Sequence, residues 1–475
     1  MPPAHKSSGT IEDDALIDDL VGFVEDLTTK ELYFYQKWNF QANPFEHRSF
    51  EGDRSSVQTR RQISIKKLLE ALIRSYNAFD HILLKGATGA GKSFLLQEFY
   101  AALTTPRLNQ SLVQSFRELP TTTCRVAMID GAEYADRDTT KRIEYLVEAG
   151  VIDEQENPCS DIVIIDNFAS LQSFWQNLYD RYLPNAFIIA SIQTAELVYL
   201  KALQSNKEVP FRQVDIQPTT IALPTSDPLD QFTREIEIPS WSQSELVDLL
   251  KIRIQLANPT DGLNYFTEEI LAEISQRSLG LPGLCLDLAQ ETFKRAINKD
   301  LQGIRDLSQL EALVDPNFAK ASTILAAFLQ RDDERKLRIF PEEIQSVVTQ
   351  LTKKTRKELI RFLLVSLGGY HVHTRQAWRV GTAVEDYFSP NETTKATLLA
   401  KSLSPSQLAV YLEKKQSTLS YHLNWFQEKE MLSIITSSSI PALRTGQVHP
   451  TGDKIVLPPT PFAQLFEIIL SQNPS

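Results

Sequence analysis

The sequence predicts an α/β protein built on a parallel sheet, continued by helical regions and ending in a separate C-terminal unit. Three observations carry that prediction. Short apolar runs recur at His81 to Leu84, Arg125 to Asp130, Asp161 to Asp166 and Ala186 to Ile192, separated by polar or helical stretches. This is the alternation required by a parallel sheet covered on both faces. The first run leads directly into Gly86-Ala87-Thr88-Gly89-Ala90-Gly91-Lys92-Ser93, followed by a helical pattern to Leu103. From Ser242 onward the apolar spacing becomes helical.

Length and composition bound the reading. At 475 residues the chain exceeds what one compact core organises, so two or three domains are expected. Its 42% apolar and 23% charged residues are ordinary for a soluble protein with a sizeable core. Apolar runs such as the one ending at Ile165 fall far short of the roughly 20 residues that cross a bilayer. The first residues carry Asp and Glu where a signal peptide would be apolar, so a cytoplasmic protein without a membrane partner is expected. Cys124, Cys159 and Cys285 are scattered, lack metal-ligand spacing and read as buried thiols. A net charge of -11 opposes a protein coated in nucleic acid but leaves room for local basic patches.

A helical pattern over Ile63 to Tyr76 precedes the first strand, and Arg234 to Pro239 reads as a fifth strand. Ser242-Gln243-Ser244-Glu245 has the form of a capping box, and helices are expected near Glu245 to Ala257, Glu268 to Ser278 and Pro282 to Ile297. A further helical stretch is expected over Arg331 to Arg361. The organisation read from these patterns is a leader and extension over 1–42, an α/β core over 43–240, a helical lid over 241–300, a helical linker over 301–393 and a C-terminal domain over 394–475.

The spacing Gly-x4-Gly-Lys-Ser is a phosphate-binding loop. Glycines let the backbone wrap around phosphate oxygens, and the N–H groups add to the positive end of the helix that follows. Gly86, Ala87, Thr88, Gly89, Ala90, Gly91, Lys92 and Ser93 would hold ATP, with Lys92 on the β- and γ-phosphates and the Ser93 hydroxyl on Mg²⁺. Asp166, ending an apolar strand, is the second expected Mg²⁺ group. The next position, where a water-activating Glu is often found, holds Asn167, which accepts no proton, so slow hydrolysis, another base such as Glu133, or a nucleotide switch is expected. The run from Asn185 ends in polar residues, so Ser191, Gln193 or Thr194 would sense the γ-phosphate.

With these motifs in place, residues 43–297 resemble the AAA+ ATPases, in the branch of archaeal and eukaryotic origin-recognition initiators and of ATPases that act with transposases. The resemblance rests on Asn43-Pro44-Phe45, the loop, Asp166, the polar-ended strand, Ile236-Glu237-Ile238-Pro239-Ser240-Trp241-Ser242, and Gly280-Leu281-Pro282-Gly283-Leu284. Gly283 stands where that family often has an Arg. The resemblance implies ATP between subunits of a homo-oligomer, with a neighbouring copy's Arg212 or Arg234 reaching the γ-phosphate.

At the C-terminus, Ser404 to Leu412, a break at Lys414-Lys415-Gln416, and Ser417 to Phe426 read as helix, turn, helix. Leu408, Leu412, Leu419, Leu423 and Phe426 would pack inward, leaving Ser417, Thr418, Ser420, Tyr421 and Asn424 for phosphate and base-edge contacts. Met431 to Ile435, a polar turn and Lys454 to Leu457 would form a hairpin wing. This resembles the winged helix-turn-helix of bacterial and archaeal DNA-binding proteins. Lys353-Lys354-Thr355-Arg356-Lys357 and Arg361 would add phosphate contacts, whereas His371 and His373 read as surface histidines. The function expected is an ATPase or switch whose nucleotide state controls assembly on double-stranded DNA, in replication initiation or transposition regulation. The competing expectation is a signalling or transcription-regulating NTPase whose winged helix docks protein partners.

Overall fold

Five strands form one parallel sheet in the order β2-β3-β4-β1-β5, with β1 Ile82–Gly86, β2 Val126–Asp130, β3 Ile162–Asp166, β4 Phe187–Gln193 and β5 Arg234–Glu237. The computed structural model describes residues 35–45, 58–116, 123–172, 174–204, 229–373, 408–409, 412–436 and 454–472. These form two compact units, residues 1–58 with 241–314 and residues 59–240 with 315–475.

The central strands are apolar without alternation because both faces are covered. In β3, Val163 and Ile165 join one core with Leu83, Ile188, Ala190 and Trp175, whereas Ile162 and Ile164 join the other with Leu84, Ile189, Leu96 and Phe99. Helices α1 Gln58–Ser75, α2 Lys92–Leu103 and α3 Pro106–Ser115 contribute residues to the second core. Helices α4 Gly131–Asp136, α5 Thr139–Glu148, α6 Trp175–Tyr182 and α7 Thr194–Gln204 contribute to the first. This is the expected parallel sheet covered by helices on both faces. Cys124 and Cys285 are buried, Cys159 is partly exposed, and all three are free thiols.

The smaller unit contains α8 Gln243–Ala257, α9 Glu268–Arg277, α10 Pro282–Asn298 and α11 Leu307–Glu311. The capping box forms as expected: Ser242 Oγ accepts from Glu245 N, while Glu245 Oε2 accepts from Ser242 N at 2.7 Å. Trp38 stacks on Tyr265 at 5.0 Å, and Tyr35, Phe40 and Phe45 pack around Phe293. Asn43 Oδ1 accepts from Phe45 N at 2.9 Å, a local turn that delivers Phe45 to this cluster. Gly283 is buried in the first turn of α10.

In the larger unit the chain continues through α12 Pro316–Leu329, α13 Glu334–Leu337, α14 Glu342–Leu351 and α15 Lys354–His373. It then forms α16 Gln416–Glu428, the antiparallel pair β6 Ser433–Thr436 and β7 Lys454–Leu457, and α17 Thr460–Gln472. Leu408, Leu419, Leu423 and Phe426 are buried as expected. The rest of the expected helix over 404–412 and the turn over 437–446 lie outside the described residues, as do the side chains of His371 and His373.

One expectation is corrected. Arg356 does not add to a basic surface: it is fully buried, with its guanidinium 3.7 Å from the Trp425 ring centroid and Nη1 donating to Gln350 O and Oε1. A planar cation over an indole in a closed site fastens α15 to α16. Lys353, Lys354 and Arg361 remain exposed.

Ile164 fills the middle of the sheet with no exposed surface. Ile164→Ala should lower unfolding free energy by roughly 2–5 kcal/mol, read from chemical denaturation.

Candidate nucleotide site

The loop leaves β1 at Gly86 and enters α2 at Lys92. Gly89 and Gly91 have φ of 79° and 89°, left-handed values that a Cβ would strain, so the glycine spacing is what lets the loop turn back on itself. Lys92 is buried, with Nζ donating to the carbonyls of Gly86 at 3.0 Å and Ala87 at 2.9 Å. Its ammonium is thus held inside the loop's curve, where phosphate oxygens would meet it. Ser93 is exposed at the helix start. The loop, two left-handed glycines, a lysine and a hydroxyl at a helix N-terminus fit a nucleotide phosphate chain.

The strand order places β4 between the loop strand and β3. Gly86 lies opposite Gln193, and Asp130 lies opposite Asp166, so all four strand ends open at one edge of the sheet. Asp166 is nearly buried and accepts a short hydrogen bond from Ser191 Oγ as well as one from Asn167 N at 3.0 Å. Ser191, a candidate sensor, therefore orients Asp166. Gln193 reaches the loop, its Oε1 accepting from Thr88 Oγ1 at 3.1 Å. Thr194 begins α7 and is partly exposed.

Asn167 adopts a left-handed conformation, φ 54° and ψ 45°, a region that Asn enters more readily than Glu. Its Nδ2 donates to Asp130 Oδ1 at 3.1 Å, and Asp130 also accepts from Ala132 N at 2.8 Å. A Cβ on Gly131 would lie 2.7 Å from the Asn167 carbonyl oxygen, so this glycine permits the turn after β2 to press against the turn after β3. Glu133 is half exposed and paired with Arg137 at 2.6 Å, an arrangement that holds its carboxylate on the helix surface.

Arg234 is not brought to the loop of its own chain. It pairs with Ile82 at the opposite end of β1, where Nη1 donates to Ser75 Oγ at 3.1 Å. Arg212 lies outside the described residues. In α16, Ser417, Thr418, Tyr421 and Asn424 are exposed and Ser420 is partly so, a polar face opposite buried Leu419, Leu423 and Phe426. Among the described residues no His, Cys, Asp and Glu cluster forms a ready-made metal site, and no helix is long and apolar enough to cross a membrane.

The sequence reading missed what α17 brings to the loop. Glu467, 1% exposed, accepts from Thr88 N at 2.8 Å through Oε2 and from Ala195 N at 3.1 Å through Oε1. Gln464, one turn earlier, donates Nε2 to Thr88 O at 3.2 Å. The sequence signal for this contact was weak: Gln464 and Glu467 are polar residues three apart within the otherwise apolar stretch 461–470 of the helix.

No family model matches the chain. No curated protein matches it either. Among solved structures it is similar to the RuvB Holliday junction branch migration motor of Thermotoga maritima, at 13% identity over 80% of this chain and 89% of that one, with a TM-score of 0.33. It is also similar to the Aeropyrum pernix ORC1 protein in complex with DNA, at 12% identity over 87% and 92% with a TM-score of 0.34. Domain III of the Thermotoga maritima replication initiation protein DnaA matches at 11% over 58% and 99%, with a TM-score of 0.32. At such scores the fold rests on strand order and register alone.

Burial raises the Glu467 carboxyl to about 7, with the charge of Glu196 adding to the rise while Thr88 N–H, Lys92 and Ala195 N–H oppose it. A carboxyl raised above its unfolded value favours the folded state most at low pH, and this contribution is lost as pH climbs from about 4.5 through about 7. Without nucleotide, the wild type should lose about 1–3 kcal/mol of stability relative to Glu467→Gln between about pH 5.5 and 8, read from paired denaturation curves.

Proposed function

We propose that the protein is a P-loop ATPase of AAA+ type that binds ATP with Mg²⁺ at residues 86–93 and couples the bound nucleotide to assembly on DNA. The observation that supports this best is the convergence of Lys92, Gln193 and Asp166 at one edge of the sheet, around a loop whose glycines take left-handed conformations. Lys92 would neutralise the β- and γ-phosphates, and Ser93 and Asp166 would hold Mg²⁺. Gln193, tied to Thr88, would report the γ-phosphate. Hydrolysis requires water to attack the γ-phosphorus as the bond to the β–γ bridging oxygen breaks, yielding ADP and inorganic phosphate. Asn167 cannot take the proton released, so slow turnover suits a switch.

The DNA-facing element of this reading is a winged helix formed by α16, β6–β7 and α17. Ser417, Thr418, Ser420, Tyr421 and Asn424 would meet the duplex, helped by exposed Lys353 and Lys354. ATP would sit between copies of a homo-oligomer, with Arg234 of a neighbouring copy acting in trans. A second reading, a signalling or transcription-regulating switch whose winged helix docks proteins, is favoured by the direct contact of α17 with the loop. That contact couples the C-terminal segment to the nucleotide site without any need for DNA.

The full chain should bind double-stranded DNA at least about tenfold more tightly with ATP and Mg²⁺ than without. Lys92→Ala should abolish that gain, and Asn424→Ala should weaken DNA binding by about 1–3 kcal/mol while leaving ATP affinity in place. Fluorescence anisotropy at low salt measures both. Tight ATP binding with no DNA affinity would replace this reading with the protein-docking switch.

A further inference from the structure

A carboxylate removed from water beside a phosphate-binding loop is an unusual occupant, because anions of the ligand and of the protein would compete for the same donors. Glu467 is buried there by α17, which also packs against α12 and α15. Its two acceptor oxygens span Thr88 N–H in the loop and Ala195 N–H at the start of α7, directly after the end of β4. Lys92 is the attractive charge near it and Glu196 the repulsive one.

The position of this carboxylate follows from the sheet. Residues 86–93 lead out of β1, and Asp166 ends β3, with the end of β4 between them. Ser93 and Asp166, the residues that would hold Mg²⁺, lie on either side of the end of β4, so a triphosphate held with that ion would extend toward β4. Glu467 bonds to groups on that same side, and Gln193 already bridges the loop there through Thr88 Oγ1.

We propose that Glu467 sets the nucleotide preference of the loop: a nucleoside diphosphate binds beside its carboxylate, whereas the γ-phosphate of a triphosphate displaces it and releases α17 from Thr88 and Ala195. The inference rests on the nucleotide reading of residues 86–93. Two physical conditions support it. A single Thr88 N–H cannot serve both Glu467 and a phosphate oxygen, and an anion brought against the buried Glu467 carboxylate is repelled more strongly than in solution. The expulsion would be transmitted along a rigid path. A Cβ on Gly368 of α15 would lie 2.1 Å from Ala195 O, so α15 and α7 meet backbone to backbone at the residue whose N–H Glu467 holds.

The test is titration of the full-length wild type and Glu467→Gln with ADP and with a non-hydrolysable ATP analogue, both with Mg²⁺, alongside hydrogen exchange over residues 460–472. The wild type should prefer ADP by about tenfold or more, and Glu467→Gln should bring the ratio near one by strengthening triphosphate binding. In the wild type, protection of 460–472 should fall with the analogue and hold with ADP. Equal affinity of the wild type for both nucleotides, an unchanged ratio in Glu467→Gln, or unaltered protection with the analogue would overturn the inference while leaving the nucleotide site intact. Failure of the wild type to bind either nucleotide would overturn the nucleotide reading and the inference together.

Discussion

The site depends on β4 lying between β1 and β3. Because it does, the hydroxyl of Ser191 lands on Asp166 and the amide of Gln193 lands on Thr88, so one strand couples the loop to the acidic strand end. Without an intervening strand the loop and Asp166 would be neighbours with no side chain bridging them. The apolar residues of β3 and β4, buried on both faces, fix this register firmly, since a slip of one residue would exchange the two cores and carry Ser191 away from Asp166.

Much of this was legible in the sequence, for identifiable reasons. Four of the strands are apolar runs with polar or glycine-rich ends, and the loop carries its chemistry in consecutive residues. The capping box at Ser242 is likewise local, and the polar face of α16 follows from helical spacing. Each of these is set by residues within a few positions of one another.

What escaped depends on contacts between distant positions. Glu467 and Thr88 are separated by 379 residues, and no periodicity announces that a C-terminal carboxylate will meet the loop. Arg356 sits in a run of basic residues that reads as a surface patch, yet the indole of Trp425 in α16 covers it. Ser191, Gln193 and Thr194 were equivalent as strand-end polar residues until the register separated them. Gly131 carried no motif, although its missing side chain is what lets the turns after β2 and β3 touch.

The aromatic cluster of the smaller unit has a consequence for synthesis. Tyr35, Trp38, Phe40 and Phe45 emerge early from the ribosome, but Tyr265, Phe266 and Phe293, against which they pack, come more than two hundred residues later. At about 5–20 residues per second the wait is on the order of ten seconds to a minute. Throughout that interval four large apolar side chains have no native partner to bury them, while the sheet strands that follow are being made. Vectorial synthesis of this chain therefore leaves that aromatic segment unpacked until the sheet strands have been made, and during the delay it is a natural client for a chaperone that shields exposed aromatic surface.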